Sequence, residues 1–153
     1  MPSLKITIRI ATLKDIELIH SFIAQKAEFD GFIQPLPLSL EQLQKTLFTD
    51  SPLAEILLAE VNQTAVGFAL IYPTFSSFLA QPTLWIDDLF VLPDMRHQGV
   101  GTALIEEIAE IAKLRNYGRI EWTVATRNTP AINFYKKQGA EILDNLRLCR
   151  VVV

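Results

Sequence analysis

Cysteine occurs once in this chain, at Cys149, so no internal disulfide can form and a reducing compartment is the natural setting. Histidine occurs twice, at His20 and His97, too far apart in sequence for zinc-ligand spacing, and no metal is expected. Basic residues are not in excess either. A net charge of -3 leaves no cationic footprint for phosphates, which argues against a nucleic-acid partner. No apolar run approaches the roughly 18 residues that cross a bilayer, so no membrane partner is expected. The N-terminal "MPSLKITIRI" alternates in the manner of a strand and not of a signal peptide. What remains is a folded chain of 153 residues, 50% apolar and 20% charged, expected to form one domain over 1–153 in the cytoplasm.

Hydrophobic periodicity then divides the chain into elements. "LKITIRI" sets Leu4, Ile6, Ile8 and Ile10 on one face, a period of two. Thr12 followed by Asp15 looks like a helix cap, and Ile16, Ile19 and Ile23 line the helix that fades near Phe29 at "DGFIQPLP". Ser39 with Gln42 opens a short helix with Leu40, Leu43 and Leu47 inward. "AEILLAEV" and "AVGFALIYP" flank the turn "NQT" as a hairpin, "FSSFLAQP" reads as a loop, and "TLWIDDLFVLP" reads as an apolar central strand. After the glycines, Leu104 or Ile105, Ile108, Ile111 or Ala112, and Arg115 keep a 3.6 period, with Gly118 as the stop. "RIEWTVA" alternates as a strand, "NTPAINFYKKQG" is a capped helix closing at Gly139, and "LRLCRVVV" supplies a last strand. The order β-α-α-β-β-β-α-β-α-β predicts a mixed sheet covered by helices, an α/β (α+β) fold.

The stretch "RHQGVGTAL" carries the strongest chemical signal. It is not a Rossmann fingerprint, because Leu104 stands where the third glycine belongs. Nor is it a P-loop, because no lysine follows Gly101. A strand, an Arg-x-x-Gly-x-Gly loop and a helix start remain. The first N–H groups of a helix lack internal partners and favour an anion, glycine admits a phosphate close to the backbone, and Arg96 adds a charge-assisted contact. A pyrophosphate is the guest this geometry suits. A glycine turn serving only strand-to-helix packing is the alternative.

"DDLFVLPDMRHQGVGTALIEEIAEIA" followed by "ATRNTPAINFYKKQGA" resembles the GNAT superfamily of N-acetyltransferases. Arg96, Gly99 and Gly101 match its coenzyme-A loop pattern, and Asn128 through Tyr135 to Gly139 match its second motif. "WIDDLFV" and "NFYKKQGA" are most similar to the diamine (spermidine/spermine) and thialysine acetyltransferases. The resemblance implies acetyl-CoA as co-substrate, no metal, a sheet whose central strands splay, a small amine acceptor and a homodimer. It implies that Leu89, Phe90 and Val91 pair with the pantetheine arm. His97, Gln98, Gly99, Val100, Gly101 and Thr102 would hold the pyrophosphate, and Asn128, Ala131, Phe134 and Tyr135 would touch the coenzyme beyond it. It places Glu28 and Phe29, with Asp30, over the acceptor.

Acetyl transfer from a thioester needs a neutral amine, a donor for the developing oxyanion and a proton or hydrogen bond for the leaving sulfur. By resemblance Tyr135 serves the sulfur. A phenol near ~10 giving its proton to a thiolate near ~8.5 is uphill by about 2 kcal/mol, so unless the site changes those values Tyr135 acts mainly as a hydrogen-bond donor. Asp87 matches a glutamate of the polyamine enzymes. One methylene shorter, it suits a water relay. On a regular strand Asp87 and Asp88 face opposite sides, so one of the two faces the acceptor amine while the other does something else. Both stand as candidate substrate-binding residues. Two other readings stay open: a protein N-terminal or lysine acetyltransferase, and a noncatalytic coenzyme-A sensor. The polyamine enzymes also continue with a C-terminal arm where this chain reads "CRVVV".

Overall fold

A computed structural model describes residues 3–32 and 36–153. Ile33, Gln34 and Pro35, within the "DGFIQPLP" stretch, lie outside the described residues. By its internal contacts the chain forms two compact units, Met1–Trp122 and Thr123–Val153.

The first unit holds a five-stranded sheet in the order β1-β2-β3-β4-β5. The strands are β1 (Ile6–Ile10), β2 (Glu55–Val61), β3 (Thr64–Ser76), β4 (Gln81–Val91) and β5 (Ile120–Glu121). Neighbours pair antiparallel except β4 with β5, which run parallel. Three helices accompany it: α1 (Ile16–Phe29), α2 (Leu40–Leu47) and α3 (Val100–Leu114). The β2–β3 turn is the tightest possible, with Asn62 and Gln63 at φ 51° and 63°, the left-handed pair that matches strand twist in a two-residue hairpin.

β2 is apolar on both faces because it is covered on both. Leu57, Ala59 and Val61 meet Val100, Leu104, Ile108 and Ala112 of α3. Ile56 and Leu58 meet Ile19 and Phe22 of α1 on the other side. There Phe22, Phe68 and Phe90 form an aromatic trio with ring centroids 5.8 to 6.3 Å apart. Burying these side chains contributes roughly 1.5–3 kcal/mol each. At the start of α1, a 3-10 turn (Leu13–Asp15) carries a reciprocal capping box between Thr12 and Asp15. Phe22 takes the buried place beside Ile19 that the sequence pattern assigns to Ile16, and in α2 Leu43 is buried while Leu40 is exposed.

Four further expectations are corrected. "FSSFLAQP" is not a loop throughout: β3 runs to Ser76 and β4 starts at Gln81, with the Thr74 and Thr83 hydroxyls bonded across the pair. α3 ends before Arg115, whose guanidinium pairs with Glu55. The left-handed residue that closes this helix is Asn116, at φ 56°, and not Gly118. The Asn116 N–H donates to the Lys113 carbonyl and the Tyr117 N–H to the Ala112 carbonyl, a Schellman closure. Finally, β5 is two residues long where seven alternate, because its pairing with β4 stops at Trp85↔Glu121.

In the second unit α4 (Thr129–Lys137) is capped by Asn128 and stops at Gly139. "LRLCRVVV" forms no strand. Its apolar side chains, Leu146, Leu148 and Val151 among them, stand exposed. Alternation makes a strand only where a neighbour supplies ladder hydrogen bonds.

Candidate active site

The centre of the site is an interruption in β4. Leu70 of β3 faces Asp88, but the next residue, Ile71, faces Ile86, so Asp87 is an extra residue in the ladder. Such a bulge breaks the alternation of side chains and bends the strand. The packing shows the change of phase directly. Leu84 and Ile86 belong to the core under α3, whereas Phe90 belongs to the core under α1. Without the bulge these even-numbered residues would share one face. Asp88 and Phe90 therefore turn toward α1, and Asp87 joins Asp88 in lining one cleft of about 420 Å³. The opposite-sides expectation for this pair is thus corrected. The same bulge follows directly after the last β4–β5 rung, which accounts for the short β5.

Across the cleft lie Ile23, Lys26, Ala27 and Asp30 of the α1 end, with Gly31 and Phe32 behind them. The Schellman closure at Gly31, φ 81°, ends α1 here and sets these residues at the rim. Lys26 bonds Asp30 one turn on and lies 3.4 Å from Asp88. Burial pushes the Asp88 carboxyl above its usual range, with Asp87 adding to the shift and Lys26 opposing it. Burial alone would favour neutral Lys26, yet Asp30 and Asp88 outweigh it and hold the ammonium above its ordinary pKa. The two upward shifts agree once the charges are counted: one ammonium serves several carboxylates, so it gains more than any one of them. Tyr72 of β3 is raised by burial and by hydrogen-bonded Asp87.

Glu28, Phe29 and Asp30 point to three places, as successive positions at a helix end must. Asp30 meets Lys26. Glu28 lines a smaller cavity of about 270 Å³ with His20, Phe32, Leu36 and Leu38, where the His20 ring is 3.2 Å from the Leu38 carbonyl. Phe29 lies beneath Arg96, whose guanidinium carbon is 4.4 Å from the ring centroid.

Beyond Trp85, β4 pairs with no strand on its β5 side among the described residues. The Leu92 N–H donates to the Val66 carbonyl at 2.9 Å. By antiparallel alternation, Phe90 spends its backbone groups on β3, while Leu89 and Val91 turn theirs to the open edge. Of the three, these two offer hydrogen bonds to an extended ligand. The Val91 carbonyl receives Arg96 Nε at 2.9 Å. Arg96 is therefore anchored to β4 and to Phe29 by its own side chain, an arrangement its loop position does not suggest.

A 3-10 turn (Pro93–Met95) then leads through His97, at φ 60°, to Gly99, at φ 89°, where α3 begins. The Gln98 side chain donates to the Asp94 carbonyl. The first helical bond runs from the Ala103 N–H to the Gly99 carbonyl, so the Val100 and Gly101 N–H groups precede the ladder. Thr102 follows, half-buried. The buried Val100 side chain fixes this terminus to the core. Glycine at position 99 and open donors at a helix start fit an anionic diphosphate, and the open β4 edge fits a pantetheine amide chain.

In the second unit, Asn128 Oδ1 accepts from the Ala131 N–H at 3.3 Å, so that amide is already used in capping α4. The Phe134 and Tyr135 rings lie 5.4 Å apart at 56°. Sequence reasoning missed Lys26 and Tyr72. The first left a trace, an i,i+4 pairing of Lys26 with Asp30; the second left none.

Residues 22–140 match the Acetyltransferase (GNAT) family. An L-ornithine N5-acetyltransferase of Arabidopsis thaliana is 28% identical, over 94% of this chain and 83% of its own length. A thialysine N-epsilon-acetyltransferase of Mus musculus is 30% identical, over 89% and 84%. An aminoglycoside acetyltransferase from an uncultured soil metagenomic sample shares the fold, with a TM-score of 0.82 over 97% of this chain and 96% of its own at 17% identity. With its open β4 edge, its glycine-led helix start and these matches, the chain belongs to the Acetyltransferase (GNAT) family and is an acetyl-CoA-dependent N-acetyltransferase.

Proposed function

We propose that this enzyme acetylates a primary amine of a small molecule, amino-acid-like or polyamine, by direct transfer in a ternary complex. The observation that carries the reading is the bulge: it sets Asp87 and Asp88 together in a cleft that suits a cation. Relatives named for ornithine and thialysine support the same acceptor class.

Acetyl-CoA supplies, when bound, an acetyl group activated as a thioester. The chain's own residues do the rest. Leu89 and Val91 offer backbone hydrogen bonds to the pantetheine arm, and the residues from His97 to Thr102 hold the diphosphate. Asp87 takes the proton of the ammonium through a water molecule, because an alkyl amine near ~10.4 is cationic at neutral pH and must be neutral to attack. Tyr135 donates a hydrogen bond to the departing sulfur.

The test is release of free thiol from acetyl-CoA against ornithine, thialysine, lysine, diamines, polyamines and short peptides, with Tyr135→Phe alongside. Release with small amines, falling at least tenfold in the variant while coenzyme affinity holds, is expected. Release with peptides alone, or none at all, rules the reading out.

A further inference from the structure

The charged residues lining the main cleft are three aspartates and one lysine, leaving two negative charges. A cleft built only to attract polycations would gain from having no lysine. Lys26 nonetheless projects into it from α1, half-buried, bonded to Asp30 and 3.4 Å from Asp88. An ammonium has three N–H donors. Asp30 and Asp88 account for two, and the third has no partner among the described residues. The two aspartates also fix its position, since a lysine stem is otherwise flexible. The cleft thus holds a stationary positive charge beside Asp88, with Asp87 in the same lining.

We infer that Lys26 selects the acceptor: its ammonium receives the carboxylate of an amino acid whose distal amine is acetylated, and repels acceptors that carry only ammonium groups. This inference rests on the small-amine reading above and narrows it to basic amino acids. An amino acid with a side-chain amine presents two ammonium groups and one carboxylate. Its distal amine addresses Asp87, and its carboxylate meets the fixed lysine charge. The matching diamine lacks that carboxylate, and its second ammonium faces Lys26 instead. At these short distances in a half-buried cleft, like charges are screened less than at the open surface. Selection against the wrong acceptor then comes from repulsion as much as from attraction.

Two matched pairs isolate the effect: ornithine with putrescine, and lysine with cadaverine, each pair differing only by the carboxylate. The amide of ornithine removes the negative charge and leaves the rest in place. We expect the wild type to prefer each amino acid over its diamine, and to lose at least tenfold in kcat/KM on the ornithine amide, mainly through KM. Lys26→Met should narrow the preference at least tenfold and respond little to the amide. Lys26→Arg should keep the preference. The amide comparison on wild-type protein needs no variant to fold.

A lysine that merely ties α1 to β4 would predict equal losses on both members of each pair in Lys26→Met. That result, or a wild type that favours the diamines, overturns the inference and leaves acetylation of small amines standing. Silence toward every small amine would overturn both.

Discussion

Asp87 and Asp88 are neighbours on a β-strand, yet both line one cleft, because Asp87 is skipped in the β3–β4 register and Asp88 sits opposite Leu70. A regular strand would send one of them into the core under α3. Burying an unpaired carboxylate there costs several kcal/mol. The bulge avoids that cost, and it also frees the β4 edge from β5. One inserted residue therefore shapes both halves of the site.

Asp87→Asn keeps the shape of the side chain and removes its charge. With Asp87 relaying the amine proton, kcat/KM for the amine should fall about 10²- to 10⁴-fold. The affinity for acetyl-CoA should hold, since Asp87 is not among the residues proposed to contact it. Steady-state kinetics across pH decide the matter: unchanged turnover and an unchanged profile would remove Asp87 from the reaction.

Arg96 ties the β4 end, through the Val91 carbonyl, to Phe29 at the end of α1. Stacking and the charge-assisted hydrogen bond together are worth about 2 kcal/mol. Arg96→Met should lower stability by that order and raise KM for both substrates. Lysine keeps the charge but lacks the planar fork, so Arg96→Lys should lose nearly as much. Urea melts of the two variants test this, and a wild-type midpoint for Arg96→Lys would contradict it.

Much of the architecture was legible. Period-two and 3.6 patterns placed the first three helices and most strands, and the Asn-Gln turn followed from its polar break. The misses share one cause: each depends on a neighbour that periodicity does not contain. "WIDD" reads the same whether the strand is regular or bulged, so the common cleft of Asp87 and Asp88 was invisible. "RIEWTVA" alternates for seven residues, but its ladder ends where β4 bends. Gly118 looks like a helix stop, but it has no left-handed backbone and sits against the ends of the Gln81 and Leu79 side chains, two residues past the Asn116 that closes the helix. The acidity of the 28–30 segment was readable. Its coupling to Lys26 and Arg96 needed the turn of α1 and the loop in three dimensions.

Gly99 stands at φ 89°, and an added Cβ would meet only Ile6 Cδ1 at 3.7 Å, an ordinary contact. Space is therefore not the issue; the left-handed backbone is. Gly99→Ala should cost about 1–2 kcal/mol and weaken coenzyme binding by distorting the helix start. Asparagine tolerates this conformation better than alanine does, so Gly99→Asn should recover part of both losses. Equal behaviour of the two variants in melts and coenzyme titrations would count against a conformational cause.

Far from the cleft, Arg9 donates two hydrogen bonds of 2.8 Å to Asp15, which also accepts from the Thr12 N–H in the capping box of α1. The Arg9 guanidinium, followed by burial acting the other way and the Thr12 N–H, sets the Asp15 carboxyl down to about 2. The folded state thus binds the proton less tightly than the unfolded chain. Stability from this group is fully present above the ordinary carboxylate value of 3.8 and is lost as pH falls toward about 2. Arg9 is partly exposed, with 41% of its side chain in contact with solvent. Screening there reduces the contribution to about 1 kcal/mol. Asp15→Asn should therefore cost about that much at neutral pH, and the gap to wild type should close on acidification through this window. Urea midpoints from pH 7 down to the acid limit of folding provide the measurement. A gap that stays constant with pH would assign the loss to capping geometry and not to the Arg9–Asp15 charge pair.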